Sequence, residues 1–223
     1  AREALAILGQ SAEQWRPRRG RPTVRLSAVP SFARLWLLPR LAELERDDLH
    51  IEVVADHRPA DLATREADLA LRYGLGSWED VDARPLLSEV LVPAAAPTLA
   101  AMAAAGLERL TLETMPPLLH DSDSSQWKAW LTDAGLRYRP RWQDRRFEDY
   151  DTVLTAARAG LGVVLLRLPL AEACLERGEL VRVSERILPN RKAHFLCQRP
   201  GEDRHAVIEA AKRVLAVAPA EPG

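Results

Sequence analysis

The segment DYDTVLTAARAGLGVVLLRLPLAEACLERGELVR (149–182) restricts the fold more than any other part of the chain. It reads as a polar turn, a helix, a Gly-x-Gly break and a buried apolar strand. A proline-started helix follows, and a glycine ends it. A helix that passes directly into a wholly apolar strand suits a sheet covered on both faces, the α/β arrangement. The segment also sets Asp149 and Tyr150 at the mouth of a helix N-terminus. Backbone N–H groups there are unpaired and the dipole favours anions. Such a mouth suits the wall of a small-molecule pocket; no nucleophile or metal cage accompanies it.

The alternation extends along the chain. TVRLSA (23–28) is a short strand, and Ser31 after Pro30 is placed to cap a helix over 32–46. A strand at 51–55, a helix turning Leu62 and Ala63 inward, and a strand at 67–72 follow. An apolar run covers 86–92, and Pro93 marks a change of pattern. The alanine-rich 97–106 is a helix, 118–120 a strand, and Trp127, Trp130 and Leu131 form one face of a helix that stops at Gly135. The last third reads as helix 169–177, strands 180–183 and 193–198, and helix 205–217. A second crossing near Arg167 divides the chain into 23–92 with 168–218 and an inserted 93–167. Ahead of these, Leu5, Leu8, Ala12 and Trp15 make a narrow apolar seam on a helix over 1–16, and PRRGRP (17–22) breaks it. That helix opens with no capping residue, which points to a missing upstream segment.

Composition excludes several classes. The 223 residues carry a net charge of −1, so no global basic field awaits nucleic acid. Cys174 and Cys197 are the only cysteines, read as buried, reduced thiols. No apolar run is long enough to span a membrane, and 1–10 is no signal peptide, so a cytoplasmic location is expected. The sequence holds no Gly-x-Ser-x-Gly, no phosphate-cradling Gly-Lys loop and no His-Glu-x-x-His, so neither catalysis, a metal nor a cofactor is expected.

Four blocks in register resemble the LysR-type transcriptional regulators. They are VPSFARLWLLPRL (29–41), ADLALRYGLG (67–76), LLHDSDSSQWKAWLTDAG (118–135) and FEDYDTVLTAARAGLGVVLL (147–166). The third is similar to the subgroup of the glycine-cleavage activator and the β-lactamase regulator. The resemblance covers residues 23 to about 199. It implies an α/β effector-binding domain with the two-lobed fold of a type 2 periplasmic binding protein, mixed sheets with helices on both faces. It implies that 1–22 is the remnant of a linker helix, preceded by a winged helix-turn-helix absent from this chain. The implied partners are a small-molecule effector, a second copy or three more in a homodimer or homotetramer, and promoter DNA through the missing domain; no membrane is implied. One departure is Ala96, where relatives often carry a serine before the proline.

A metabolite between the lobes would be met by Ser31, Phe32, Arg72 and Gly74 from the first and by His120, Asp121, Trp127, Phe147, Asp149 and Tyr150 from the second. Ser31 reads equally as a helix cap or as a contact to a carboxylate. Arg72 ends a buried strand, where a guanidinium fork suits an anion; a solvated arginine is the plainer alternative. Gly74 gives backbone freedom. His120 and Asp121 lack the spacing of a zinc motif and suit a polar wall, with Ser122 beside them. Trp127 packs in the core or roofs the pocket; Asp149 caps its helix or meets an effector amine; Tyr150 is core or offers its hydroxyl. The alternative from another class is a free-standing solute-binding protein of a transport system, which would lack the leading apolar seam.

Overall fold

The computed structural model describes residues 21–46, 48–100, 106–111, 113–121 and 124–219. The helix expected over 1–16, the linker through residue 20, Ser122 and positions 101–105 of the alanine helix lie outside the described residues.

The first sheet runs β2 (His50–Ala55), β1 (Thr23–Ala28), β3 (Leu69–Gly74), β11 (Ala193–Gln198), β4 (Asp82–Leu87). β1 is parallel to β2 and β3, while β11 is antiparallel to β3 and β4. The second runs β10 (Leu188–Pro189), β5 (Val90–Ala95), β8 (Val163–Leu168), β6 (Leu118–His120), β7 (Arg145–Arg146), with β9 (Val181–Arg182) beside β5. Both sheets are mixed. The strands change sheet at Ser88 and Glu89 and again across 190–192, not at Pro93 and Arg167. The apolar run 86–92 spans two strands of different sheets, and β9 and β10 are too short to show a period.

Helix α1 is a run of four pieces: Pro30–Phe32, a π turn Ala33–Leu37, a 3-10 turn Leu38–Arg40 and Leu41–Glu45. Pro39 has no N–H for the Leu35 carbonyl, and its ring crowds that oxygen. The Leu38 N–H instead reaches back five residues to the Ala33 oxygen, loosening the ladder before the proline. Phe32, Ala33, Trp36, Leu37 and Leu44 are the buried face. The N-cap is Val29, with Pro30 at the first helical position. Ser31 is therefore inside the helix rather than capping it, because a proline's fixed φ already suits the first turn.

The helix expected around Leu62 is a turn. The Asp61 carboxylate accepts from the Ala63 and Thr64 N–H groups at 2.8 and 3.2 Å, and Arg65 ends the turn at φ +62°. A side chain that satisfies two amides at once competes with a longer helix. Leu62 is buried; Ala63 is exposed.

In the second half, α2 (Pro97–Ala100) follows β5, and α3 (Ser125–Asp133) buries Trp127, Trp130 and Leu131. Helix α4 (Tyr150–Arg158) is capped by Asp149, whose carboxylate accepts from the Thr152 N–H at 2.8 Å. Gly160 ends it at φ +75°, and Gly162 lies so close to the neighbouring strand that a Cβ would sit 2.3 Å from the Pro117 oxygen. Helix α5 (Glu172–Glu176) follows β8. Helix α6 (His205–Ala216) packs on β1 and β11, and its Arg213 donates to the Leu44 and Glu45 carbonyls that end α1. Cys174 and Cys197 are both buried and free; burial pushes the Cys197 thiol up to about 11. Among the described residues no helix is long and apolar enough to cross a membrane.

Candidate functional site

The parallel strands β1, β2 and β3 end at one side of their sheet, where open α/β sheets receive ligands. A crevice of about 140 Å³ lies there, with Val29, His57, Ala60, Arg72 and Trp78 in its wall. The Arg72 Nη2 donates to the Ala60 carbonyl at 3.1 Å, and its guanidinium carbon is 5.8 Å from the Trp78 ring centre. Its Nε is buried and has no protein partner. Gly74 is the close neighbour of that indole: a Cβ would meet Trp78 at 3.0 Å.

Next to the crevice a polar bridge joins the two sheets. The Tyr73 hydroxyl, from β3, accepts from Gln126 Nε2 and Asn190 Nδ2, both at 2.8 Å. Arg167, from β8, donates through Nη2 to both Asp121 carboxylate oxygens at 2.8 Å and to Gln126 Oε1 at 3.0 Å. Its guanidinium also lies over the Tyr150 ring at 4.2 Å and the Tyr73 ring at 4.9 Å. The Tyr150 hydroxyl accepts from the Arg167 N–H at 2.8 Å and donates to the Leu165 carbonyl at 3.2 Å. Asn190 Nδ2 also reaches Glu89 Oε2 at 3.0 Å. Glu89 Oε1 faces His194 Nε2 at 3.2 Å, and the imidazole stacks on Phe32 at 3.9 Å.

Burial sets the electrostatics. It would lower the proton affinity of Arg167, but Tyr73, Asp121 and Glu89 together hold it raised. Both tyrosines are raised chiefly by burial, with Arg167 opposing. Burial lowers His194 below 6.5 although Glu89 pulls the other way. Its Nε2 faces the Glu89 side chain at 3.2 Å, and its buried Nδ1 has no protein partner. A second link closes the outer side: Arg34 of α1 donates to Asp149 at 2.7 Å and Asp151 at 2.6 Å. Partial burial would raise the Asp149 carboxyl, but the Thr152 groups and Arg34 hold it lowered.

The ten residues singled out from sequence are not brought to one place. Arg72 and Gly74 stand at the strand-end crevice. Phe32, Asp121 and Tyr150 meet the bridge, through His194 for the first and Arg167 for the other two. His120 and Phe147 lie beside it: His120 Nδ1 is 3.0 Å from the Asp121 carbonyl, and the Phe147 N–H donates to the His120 carbonyl at 3.0 Å. Trp127 is in the second core, its Nε1 donating to the Leu119 carbonyl at 2.8 Å, and Asp149 caps α4. Ser31 is buried in α1, outside the wall of the crevice. Sequence reasoning did not single out Tyr73, Glu89, Gln126, Arg167, Asn190 and His194, which build the bridge. One signal was readable: a lone arginine inside the apolar run VVLLRL is rarely buried unless paired.

The family model described as the LysR substrate binding domain matches residues 17–218. The glycine cleavage system transcriptional activator of Escherichia coli (strain K12) is 28% identical over 226 residues, spanning 99% of this chain and 73% of that protein. The HTH-type transcriptional activator AmpR of Citrobacter freundii is 31% identical over 145 residues, 64% of this chain and 48% of that one. Among solved structures, the effector domain of the transcriptional regulator AmpR of Pseudomonas aeruginosa superposes with a TM-score of 0.75 at 23% identity. It covers 88% of this chain and 95% of its own. The AmpR effector binding domain from Citrobacter freundii gives 0.73 at 24%, covering 88% and 98%. At such identities these two likenesses speak for the fold.

Proposed function

We propose a function from one premise: the chain belongs to the LysR substrate binding domain family. Its relatives are transcriptional regulators rather than enzymes or transport proteins, and the chain is the effector-binding region of a LysR-type regulator. The site and mechanism follow as our reading. A small metabolite carrying a carboxylate or another anionic group enters at the carboxyl ends of β1–β3 and meets the Arg72 guanidinium. The second wall is the His120–Asp121 and Phe147–Tyr150 side of the other sheet.

The bridge centred on Arg167 ties the two sheets in one arrangement. A ligand that makes better contacts in another arrangement shifts the balance, and only such differential affinity regulates. The shift is passed to DNA readers elsewhere in the full-length regulator through pairing of copies, in a dimer or tetramer, in the cytoplasm. The observation that carries this reading is the buried, partnerless Nε of Arg72 beside a bridge drawn from both sheets. A buried donor without a partner costs about 1–3 kcal/mol, which a bound acceptor removes.

A thermal-shift panel of amino acids, short carboxylic acids and cell-wall fragments tests it. A ligand present at about one hundred times its Kd stabilises by about 2.7 kcal/mol. The gain should be largely lost in Arg72→Ala. A hit that stabilises Arg72→Ala as strongly as the parent chain refutes the placement.

A further inference from the structure

A cavity larger than the Arg72 crevice lies elsewhere. A groove of about 680 Å³ runs between the outer face of α3 and the segment 188–192, and shares no wall residue with the Arg72 crevice. Its shape comes from the sequence of α3. Trp127, Trp130 and Leu131 turn into the core, leaving Ser125, Lys128, Ala129 and Thr132 on the opposite stripe at helical spacing. Small residues on that stripe keep the groove open. Leu75, Leu91, Leu188 and Pro189 make it apolar, and Leu75 is left 65% exposed. Charge is one-sided. Lys128, Arg191 and Lys192 line it, while the carboxylate in the wall, Asp133, is held by Arg186 at 2.8 Å.

We propose that this groove is a second small-molecule site, for an amphipathic anion: an apolar body along Leu75, Leu91 and Leu188 and a carboxylate or sulfonate head toward Lys128 and Arg191. Its volume suits a ligand of ordinary metabolite size. The site is also wired to the bridge. Gln126 and Asn190 stand in the groove wall, and both donate to the Tyr73 hydroxyl. A body seated against these two amides holds or displaces two of the hydrogen bonds that tie the sheets together. Occupancy of the groove is thereby felt at the bridge without a contact to Arg72.

Octanoate, octylamine and octanol, titrated by calorimetry into the intact chain, test the chemistry, with an anilinonaphthalene sulfonate dye as a fluorescent competitor. Octanoate should bind saturably, displace the dye and bind about tenfold tighter than octylamine. Ala129→Trp fills the groove from an exposed position and should weaken octanoate about tenfold; Thr132→Glu, which adds a repelling charge, should do likewise and serves if the tryptophan perturbs folding. Lys128→Glu with Arg191→Glu should abolish the preference for the carboxylate. Arg72→Ala should leave octanoate affinity within about twofold, which separates this site from the strand-end crevice. Absence of saturable octanoate binding, equal affinity for octylamine, or unchanged affinity in both groove variants overturns the proposal.

Discussion

A guanidinium in the middle of a sheet is stable only where neighbours replace its lost hydration. Arg167 is 5% exposed, and Asp121, Gln126 and two aromatic faces meet it. Arg167→Met should therefore destabilise by about 3 kcal/mol, chiefly by stranding Asp121. Urea unfolding measures it, and a double-mutant cycle with Asp121→Asn should show coupling above about 0.5 kcal/mol. His194 predicts a pH effect whose sign follows from its lowered proton affinity. The unfolded imidazole binds a proton near 6.5, the folded one only at lower pH. Below 6.5 the unfolded chain thus holds more protons, so the contribution of His194 is complete above that pH and is lost as the pH falls toward the folded value. His194→Gln, which keeps a donor for Glu89, should flatten the fall in unfolding midpoint between about pH 7 and pH 5.

At the scale of elements, the two glycines after α4 separate two roles. Gly160 serves a left-handed turn at φ +75°, so Gly160→Ala should cost about 1 kcal/mol. Gly162 allows β8 to approach Pro117, and Gly162→Ala should cost more, about 3 kcal/mol, because backbone must move. Melting temperatures of the two variants in one buffer rank them; equal losses would count against the close-approach role. These elements were legible in the sequence because their causes are local: Asp149 three residues before Thr152, a glycine at a helix end, three apolar residues on one face of α3. The Asp61 turn was not, since a short apolar-polar run looks alike whether one turn or three are formed. Nor was the bridge. Tyr73 lies 53 residues from Gln126 and 117 from Asn190, and no periodicity links residues so far apart.

Across the whole molecule, the two sheets meet through the bridge on one side and through Arg34 with Asp149 and Asp151 on another. Arg34 is exposed enough that Arg34→Ala should cost less than about 1 kcal/mol of stability. Its expected signature is local: faster amide hydrogen exchange in the first turn of α4, with exchange in β1 and β8 unchanged. The two-sheet form was readable from the alternation of strands and helices, whereas the points of crossing needed the strand pairings. Those crossings have a mechanical consequence. The chain passes between the halves twice, and at the passage the Asn190 N–H donates to the Glu89 carbonyl at 2.9 Å while their side chains also pair. Two strands fastened side by side act like the spine of a book. They permit the covers to swing but resist sliding or twisting, so any change in gape is a rotation whose displacement grows with distance from that spine.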